Sequence, residues 1–353
     1  MIVKNEEAVL ERCLSSVQGL IDEIIIVDTG STDNTKQVAR KFTNKIFDFK
    51  WEDDFSKARN FAFQFASSDY IMWLDADDVI PPESLKSFIK LKEEIDGSVD
   101  VYMLKYNTSF DEFNNPIFSF YRERIMKNDG SFVWNGFIHE TIAPHGEIRY
   151  FDIAVEHRKN KPGDTWRNLN IYRKHIRRGE KLSARESYYY SRELFYHEYY
   201  KKCIDQLNKT LLYEDLWIED RLGSIMLKAT CLQILKKYKQ SRVELFKSFE
   251  IAAPRAKALC MIGDSFLEEN KYSQATYWYE SAMSQGEEKE KNNFIEKDYF
   301  DYYPALNLCV CYFYLNNLER AEEYNNIALN VKPNDPIATN NKKFFKNKKS
   351  SSF

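Results

Sequence analysis

No run of apolar residues in this chain approaches the ~18 that a membrane span needs, and no basic-then-apolar leader opens it. A soluble, cytoplasmic protein is the expectation. Charge of one sign is also missing: 51 Lys and Arg against 54 Asp and Glu leave a net charge of −3. That balance gives no general reason to expect nucleic acid as a partner. Cysteines number six, Cys13, Cys203, Cys231, Cys260, Cys309 and Cys311, and none forms a CxxC pair. Without clustered ligands a structural zinc site is not expected, and buried thiols in a reducing compartment explain them best. Glycine and proline, 11 and 9 in all, thin out after about residue 165, and strand signals vanish with them.

Aromatic residues are plentiful, with 23 Tyr and 25 Phe among 353 residues, so large core side chains are available. The length suggests two or three domains, and the periodicity changes midway. Up to about residue 160, strand and helix signals alternate. "EIIIVD" (23–28), "KIFDF" (45–49) and "YIMWL" (70–74) read as strands. "SKARNFAFQFA" (56–66) and "PESLKSFIKLKEE" (82–94) read as helices, the second with proline at its start. "VDVYMLKY" (99–106), "FSFYRERIM" (118–126) and "FDIAVEH" (151–157) alternate as strands do. Such alternation predicts an α/β domain with a largely parallel sheet over residues 1–165.

An internal repeat follows over residues 166–340. Ala275, Tyr279 and Ala282 follow Leu259, Ile262, Gly263 and Phe266 at the offsets by which Ala321, Asn325 and Ala328 follow Ala305, Leu308, Cys309 and Tyr312. Two degenerate copies precede them, around Leu194, Cys203 and Leu207 and around Ala229 and Phe249. The offsets resemble the tetratricopeptide helix pair; an irregular helical bundle is the alternative. Repeats of this kind bind peptides, form dimers or brace a neighbouring domain. The basic tail 341–353, with five lysines, is expected to be disordered.

The stretch "SSDYIMWLDADDVIPP" (67–82) raises the functional question. A buried strand runs into Asp75, Asp77 and Asp78, which repel one another at neutral pH. In an open sheet, ligands bind beyond the carboxyl ends of strands. Asp75 and Asp77 are two apart, so in extended chain both carboxylates face one way. That arrangement suits a hard divalent cation and its phosphate ligands; the alternative is a cap on the next helix.

Five motifs occur in order: "MIVKNEE" (1–7), "VDTGSTDNT" (27–35), "WEDDFSKARNFA" (51–62), "WLDADD" (73–78) and "GFIHE" (136–140). Together they resemble the family 2 glycosyltransferases of the GT-A fold. More narrowly, they are similar to a bacterial branch with an added tetratricopeptide-like domain, which includes S-glycosyltransferases that modify cysteines of bacteriocin peptides such as sublancin. The resemblance implies a metal-dependent, inverting transfer from a UDP-sugar, with Mn²⁺ or Mg²⁺ as cofactor. The acceptor it implies is a peptide or protein side chain; a saccharide or lipid-linked acceptor is the alternative, and a tetratricopeptide scaffold without catalysis is the alternative of another class. By motif it assigns Ile2, Val3, Lys4, Asn5 and Glu6 to the nucleotide pocket, Asp28 to the uracil ring, and Arg59 to the base or diphosphate. Asp53 and Asp54 are expected to orient Arg59. Asp75 and Ala76 join the nucleotide set, and Asp77 and His157 are assigned to the cation. Glu140 is assigned as the base, with His139 beside it. Relatives continue the position of His157 with Gly-Tyr, whereas this chain reads "EHRKNKPGD", and relatives carry several more residues before the first strand.

Overall fold

A computed structural model describes residues 1–110, 114, 116–159, 165–285 and 297–350. The chain divides into two compact units, Met1–Glu180 and Lys181–Phe353.

In the first unit, strands β1 (Ile2–Val3), β2 (Ile26–Asp28) and β3 (Ile46–Asp48) form a parallel ladder in the order β1-β2-β3. Helices α1 (Leu10–Val17) and α2 (Thr35–Ala39) accompany it, and Leu10, Leu14, Ile26 and Ala39 pack into one core cluster. Helix α3 (Phe55–Phe63) is capped by Asp54, whose side chain accepts the Lys57 backbone N–H. Strands β4 (Tyr70–Met72) and β5 (Asp78–Val79) precede helix α4 (Pro82–Glu94), which opens on proline at a position whose N–H has no helical partner.

The rest of the unit is not largely parallel. Strands β6 (Val101–Phe110) and β7 (Pro116–Lys127) pair antiparallel along most of their length. β7 also pairs antiparallel with β4, and β10 (Ile148–His157) pairs parallel with β6 but antiparallel with β5, giving the order β4-β7-β6-β10-β5. The sheet is mixed because β6 and β7 follow closely in sequence, and a short connection permits only an antiparallel return. A small ladder of β8 (Trp134–Asn135) and β9 (Thr141–Ile142) frames the loop between them. Helix α5 (Arg167–Arg177) closes the unit, with Leu169, Ile171, Tyr172 and His175 buried.

The second unit is helical: α6 (Ala184–Tyr196), α7 (Tyr200–Thr210), α8 (Ile218–Ile234), α9 (Tyr238–Lys247), α10 (Ala256–Leu267), α11 (Tyr272–Met283), α12 (Tyr302–Tyr314), α13 (Leu318–Val331) and α14 (Pro336–Ser350). Consecutive helices pack as pairs, α6 with α7, α8 with α9, α10 with α11 and α12 with α13. The repeat residues explain the pairing. Ala275, Tyr279 and Ala282 of α11 are fully buried, and Gly263 of α10 faces the Tyr279 ring so closely that a Cβ there would lie 2.8 Å from a ring carbon. Over its described part, 341–350, the basic tail departs from expectation: α14 runs helical to Ser350, with Ala338 and Phe345 buried in the core of the last helices, and residues 351–353 lie outside the described residues. All six cysteines are buried free thiols, and no described helix is long and apolar enough to cross a membrane.

A polar knot lies inside this unit. The Asp264 carboxylate accepts hydrogen bonds from the hydroxyls of Tyr279 (2.7 Å) and Tyr303 (3.0 Å). Burial pushes its carboxyl up to about 6 against those two bonds. Asp264 therefore holds a proton more readily folded than unfolded, and its contribution is complete below pH ~4 and lost as pH rises through about 6. Because the residue keeps some exposed surface, the effect is on the order of 1–2 kcal/mol. Hydrogen exchange of α10–α12 in the full chain, corrected for intrinsic rates, is expected to show stronger protection at pH 5 than at pH 7.5. Asp264→Asn should flatten that difference.

Candidate active site

The acidic turn between β4 and α4 is held open at the carboxyl side of the strands by three long-range contacts. First, β5 pairs with the end of β10, setting His157 opposite Asp78. That register brings Asp77, Asp78 and His157 together, with one ligand atom of each lying within 4.8 Å of the others. The His157 Nδ1 stands 3.4 Å from both Asp77 Oδ1 and Asp78 Oδ1. Its bond to Asp78 and the Asp77 charge raise the imidazole above its ordinary value. Burial raises the Asp77 carboxyl, and the neighbouring Asp75 and Asp78 charges add to it against the pull of His157.

Second, Arg59 of α3 bridges two motifs. Its Nη2 donates to Asp75 Oδ1 and its Nε to Glu140 Oε1, both at 2.7 Å. The guanidinium is buried, 4.6 Å from the Trp134 ring and 5.3 Å from the Trp73 ring. Burial disfavours its charge, but the two carboxylates outweigh this and raise it above the ordinary arginine range. Asp75 is correspondingly pushed down to about 2: burial opposes ionisation, while Arg59 and then Arg124 favour it. Asp53 and Asp54 do not orient Arg59. Asp54 caps α3, and Asp53 receives the Lys174 ammonium at 2.9 Å.

Third, the residue after Arg59 ties down the loop that carries Glu140. Asn60 Nδ2 donates to the Trp134 carbonyl (3.0 Å), and the Trp134 N–H donates to Asn60 Oδ1 (2.9 Å). The Phe55 N–H bonds to the Phe137 carbonyl at 2.9 Å. The Phe137 ring stacks on His175 of α5 at 3.9 Å. His139 adopts φ 53°, a left-handed conformation that costs a non-glycine residue energy and that recurs at functional loops. Asn5 shares that conformation, at φ 56°.

These contacts surround a cavity of about 620 Å³ whose walls include Ile2, Val3, Lys4, Asn5, Glu6, Arg59, Asp75, Ala76, Asp77, His139, Glu140 and His157. Every predicted site residue but one is therefore in a single concavity. The exception is Asp28, which is buried but not part of the wall. Its Oδ1 accepts the backbone N–H groups of Gly30 and Ser31, both at 2.9 Å, and its Oδ2 is buried without a hydrogen-bond partner. Sequence reasoning missed Trp73, Tyr106, Arg122, Trp134, Lys159 and Arg167, which also line the cavity. The signal for one of them was present: "RER" in an alternating strand puts Arg122 and Arg124 on one face, and both lie over the Trp73 ring.

Residues 1–145 match the family model described as glycosyl transferase family 2. The SPbeta prophage-derived glycosyltransferase SunS of Bacillus subtilis is 27% identical over 60% of this chain and 52% of its own. An uncharacterized glycosyltransferase of Rickettsia typhi is 27% identical over 46% of this chain and 62% of its own. A TPR repeat-containing protein of Synechococcus elongatus is 42% identical over 27% of this chain and 23% of its own. Among solved structures, YrrB, a TPR protein with an unusual peptide-binding site, aligns with 51% of this chain and 84% of its own at a TM-score of 0.39 and 20% identity. The chain thus spans between about a quarter and three fifths of the length of these curated relatives.

Proposed function

We propose that this chain is a metal-dependent, inverting glycosyltransferase that takes its sugar from a UDP-sugar. The observation that carries the reading is the Arg59 bridge, which holds Asp75 and Glu140 at one wall of the cavity while Asp77 and His157 meet at another. The Asp77 carboxylate fits Mn²⁺ or Mg²⁺, both of which favour oxygen ligands, and the His157 imidazole favours Mn²⁺, the softer of the two. Bound there, the cation supplies Lewis-acid stabilisation of the departing diphosphate.

The chain's own residues do the rest. Ile2 to Glu6, with Asp75 and Ala76, hold the nucleotide. The unpartnered Oδ2 of Asp28 supports acceptance of a hydrogen bond from the uracil ring N–H, since a buried acceptor without a partner is costly. Arg59 keeps Glu140 turned into the cavity, and His139 shapes the loop that carries it. Glu140 takes the proton from the acceptor hydroxyl or thiol as that atom bonds to the anomeric carbon. The carbon–oxygen bond to the diphosphate breaks on the opposite face, its electron pair leaving with UDP, and the single displacement inverts the anomeric carbon. A peptide or protein side chain is the proposed acceptor, with a saccharide as the alternative. Arg122, Lys159 and Arg167 add positive charge to the walls, which suits a diphosphate.

A panel of UDP-sugars incubated with the full chain and Mn²⁺ is expected to yield free UDP with at least one of them. Asp77→Asn should abolish that release. UDP formation at the same rate by Asp77→Asn would count against Asp77 as the metal ligand, and no UDP from any of the panel with wild type would count against an enzyme and for a binding scaffold.

A further inference from the structure

The acidic turn offers three carboxylates, and distance alone groups Asp78 with Asp77 and His157. We propose that Asp78 is withheld from the cation and is instead the positioning residue of the site, anchored by Arg124 and Tyr106. The inference rests on the metal-dependent reading above and adds which carboxylate binds and which one builds.

The oxygens of Asp78 are already engaged. Oδ2 accepts from Arg124 Nη1 at 2.9 Å and from the Asp75 backbone N–H at 3.0 Å. Oδ1 accepts from the Tyr106 hydroxyl at 3.0 Å. A carboxylate has about four lone-pair sites, and the remaining direction meets His157 Nδ1 at 3.4 Å. The side chains of Asp78 and Arg124 both have 0% exposure, whereas Asp77 retains 21%. To ligate a cation, Asp78 would have to leave a fully buried ion pair, and a buried charge stripped of its partner is strongly unfavourable.

Arg124 has little else to compensate it. Its guanidinium lies between the Trp73 ring, 3.8 Å away, and the Tyr106 ring, 4.2 Å away. Nη1 also reaches the Trp73 carbonyl at 3.2 Å, while Nε and Nη2 are buried without hydrogen-bond partners. Asp78 is therefore its sole ion-pair partner among the described residues.

From that fixed point Asp78 governs both proposed ligands, Asp77 and His157. Its Oδ2 holds the Asp75 N–H and so closes the turn whose middle is Asp77. Its backbone pairs with His157 across β5 and β10. The Arg158 N–H, one residue on, bonds to the Asp77 carbonyl at 2.8 Å, which ties the same two segments again. Groups that orient metal ligands from behind typically change metal affinity ~10–100-fold when removed.

The test is Mn²⁺ affinity of the full chain in the presence of UDP, read from the free-ion signal in electron paramagnetic resonance, beside a thermal melt. Tyr106→Phe removes one anchor and leaves the ion pair, so it is expected to stay folded with a modestly lowered melting temperature and to bind Mn²⁺ about 10-fold more weakly. Asp78→Asn/Arg124→Gln removes both buried charges together and is expected to bind within ~100-fold of wild type. Asp77→Asn should bind more weakly than either. A double variant as deficient as Asp77→Asn would make Asp78 a ligand and overturn the proposal. So would wild-type affinity in Tyr106→Phe, which carries the test alone if the double variant does not fold. A wild-type chain that binds no Mn²⁺ would overturn the metal-dependent reading itself, a result distinct from either.

Discussion

Glu140→Gln is expected to slow transfer ~10²–10⁴-fold, the contribution of a positioned general base, while leaving UDP affinity within a few-fold. Glutamine keeps the size of the side chain, and its carbonyl oxygen can still accept the Arg59 Nε–H that Glu140 Oε1 accepts at 2.7 Å. The substitution removes only the capacity to take a proton. Because the site has Glu140 pinned by Arg59 and the loop tied to Asn60, little rearrangement should accompany it. Initial rates with a turned-over UDP-sugar, beside UDP calorimetry, separate the outcomes. A rate within tenfold of wild type would reduce Glu140 to a partner of Arg59 and move the base elsewhere.

Arg59→Ala should do more damage to the fold than to any single step. It takes away the cation that Asp75 and Glu140 share, and Asp75 sits at about 2 largely because Arg59 outweighs its burial. Breaking a buried pair from one side costs ~3–5 kcal/mol, and here two carboxylates lose the same partner. Loss of contact with the Trp73 and Trp134 rings adds to it. Arg59→Lys should not rescue fully, since an ammonium cannot donate from two directions as Nε and Nη2 do. Thermal melts of the three proteins measure the effect. A melting temperature unchanged in Arg59→Ala would contradict the bridge.

Much of the site is readable from residue order. "DADD", "ARN" and "GFIHE" each announce a chemistry that a strand end or a helix start can display, and the structure brings all three to one cavity. Local signals also place α3, α4 and the long strands, because hydrophobic period and capping act within a few residues. What local pattern does not encode is long-range pairing. β6 and β7 return antiparallel, so the sheet is mixed where a parallel one was expected. Nothing near Asp53 predicts that it will meet Lys174, 121 residues on, and not Arg59. The tail reads as solvated because lysines outnumber apolar residues, yet burial of Phe345 and Ala338 is enough to keep α14 helical to Ser350. Asp28 is the instructive case: the motif singles it out, whereas the structure spends one oxygen on the turn at Gly30 and Ser31 and leaves the other buried and unmatched.

The measurement that bears most directly on the whole account is titration calorimetry of UDP against the full chain, with and without Mn²⁺, in wild type and Asp77→Asn. The account predicts tight binding only for wild type with metal, and loss of that gain in Asp77→Asn. UDP that fails to bind wild type under either condition, or binds both proteins equally with and without Mn²⁺, would contradict it.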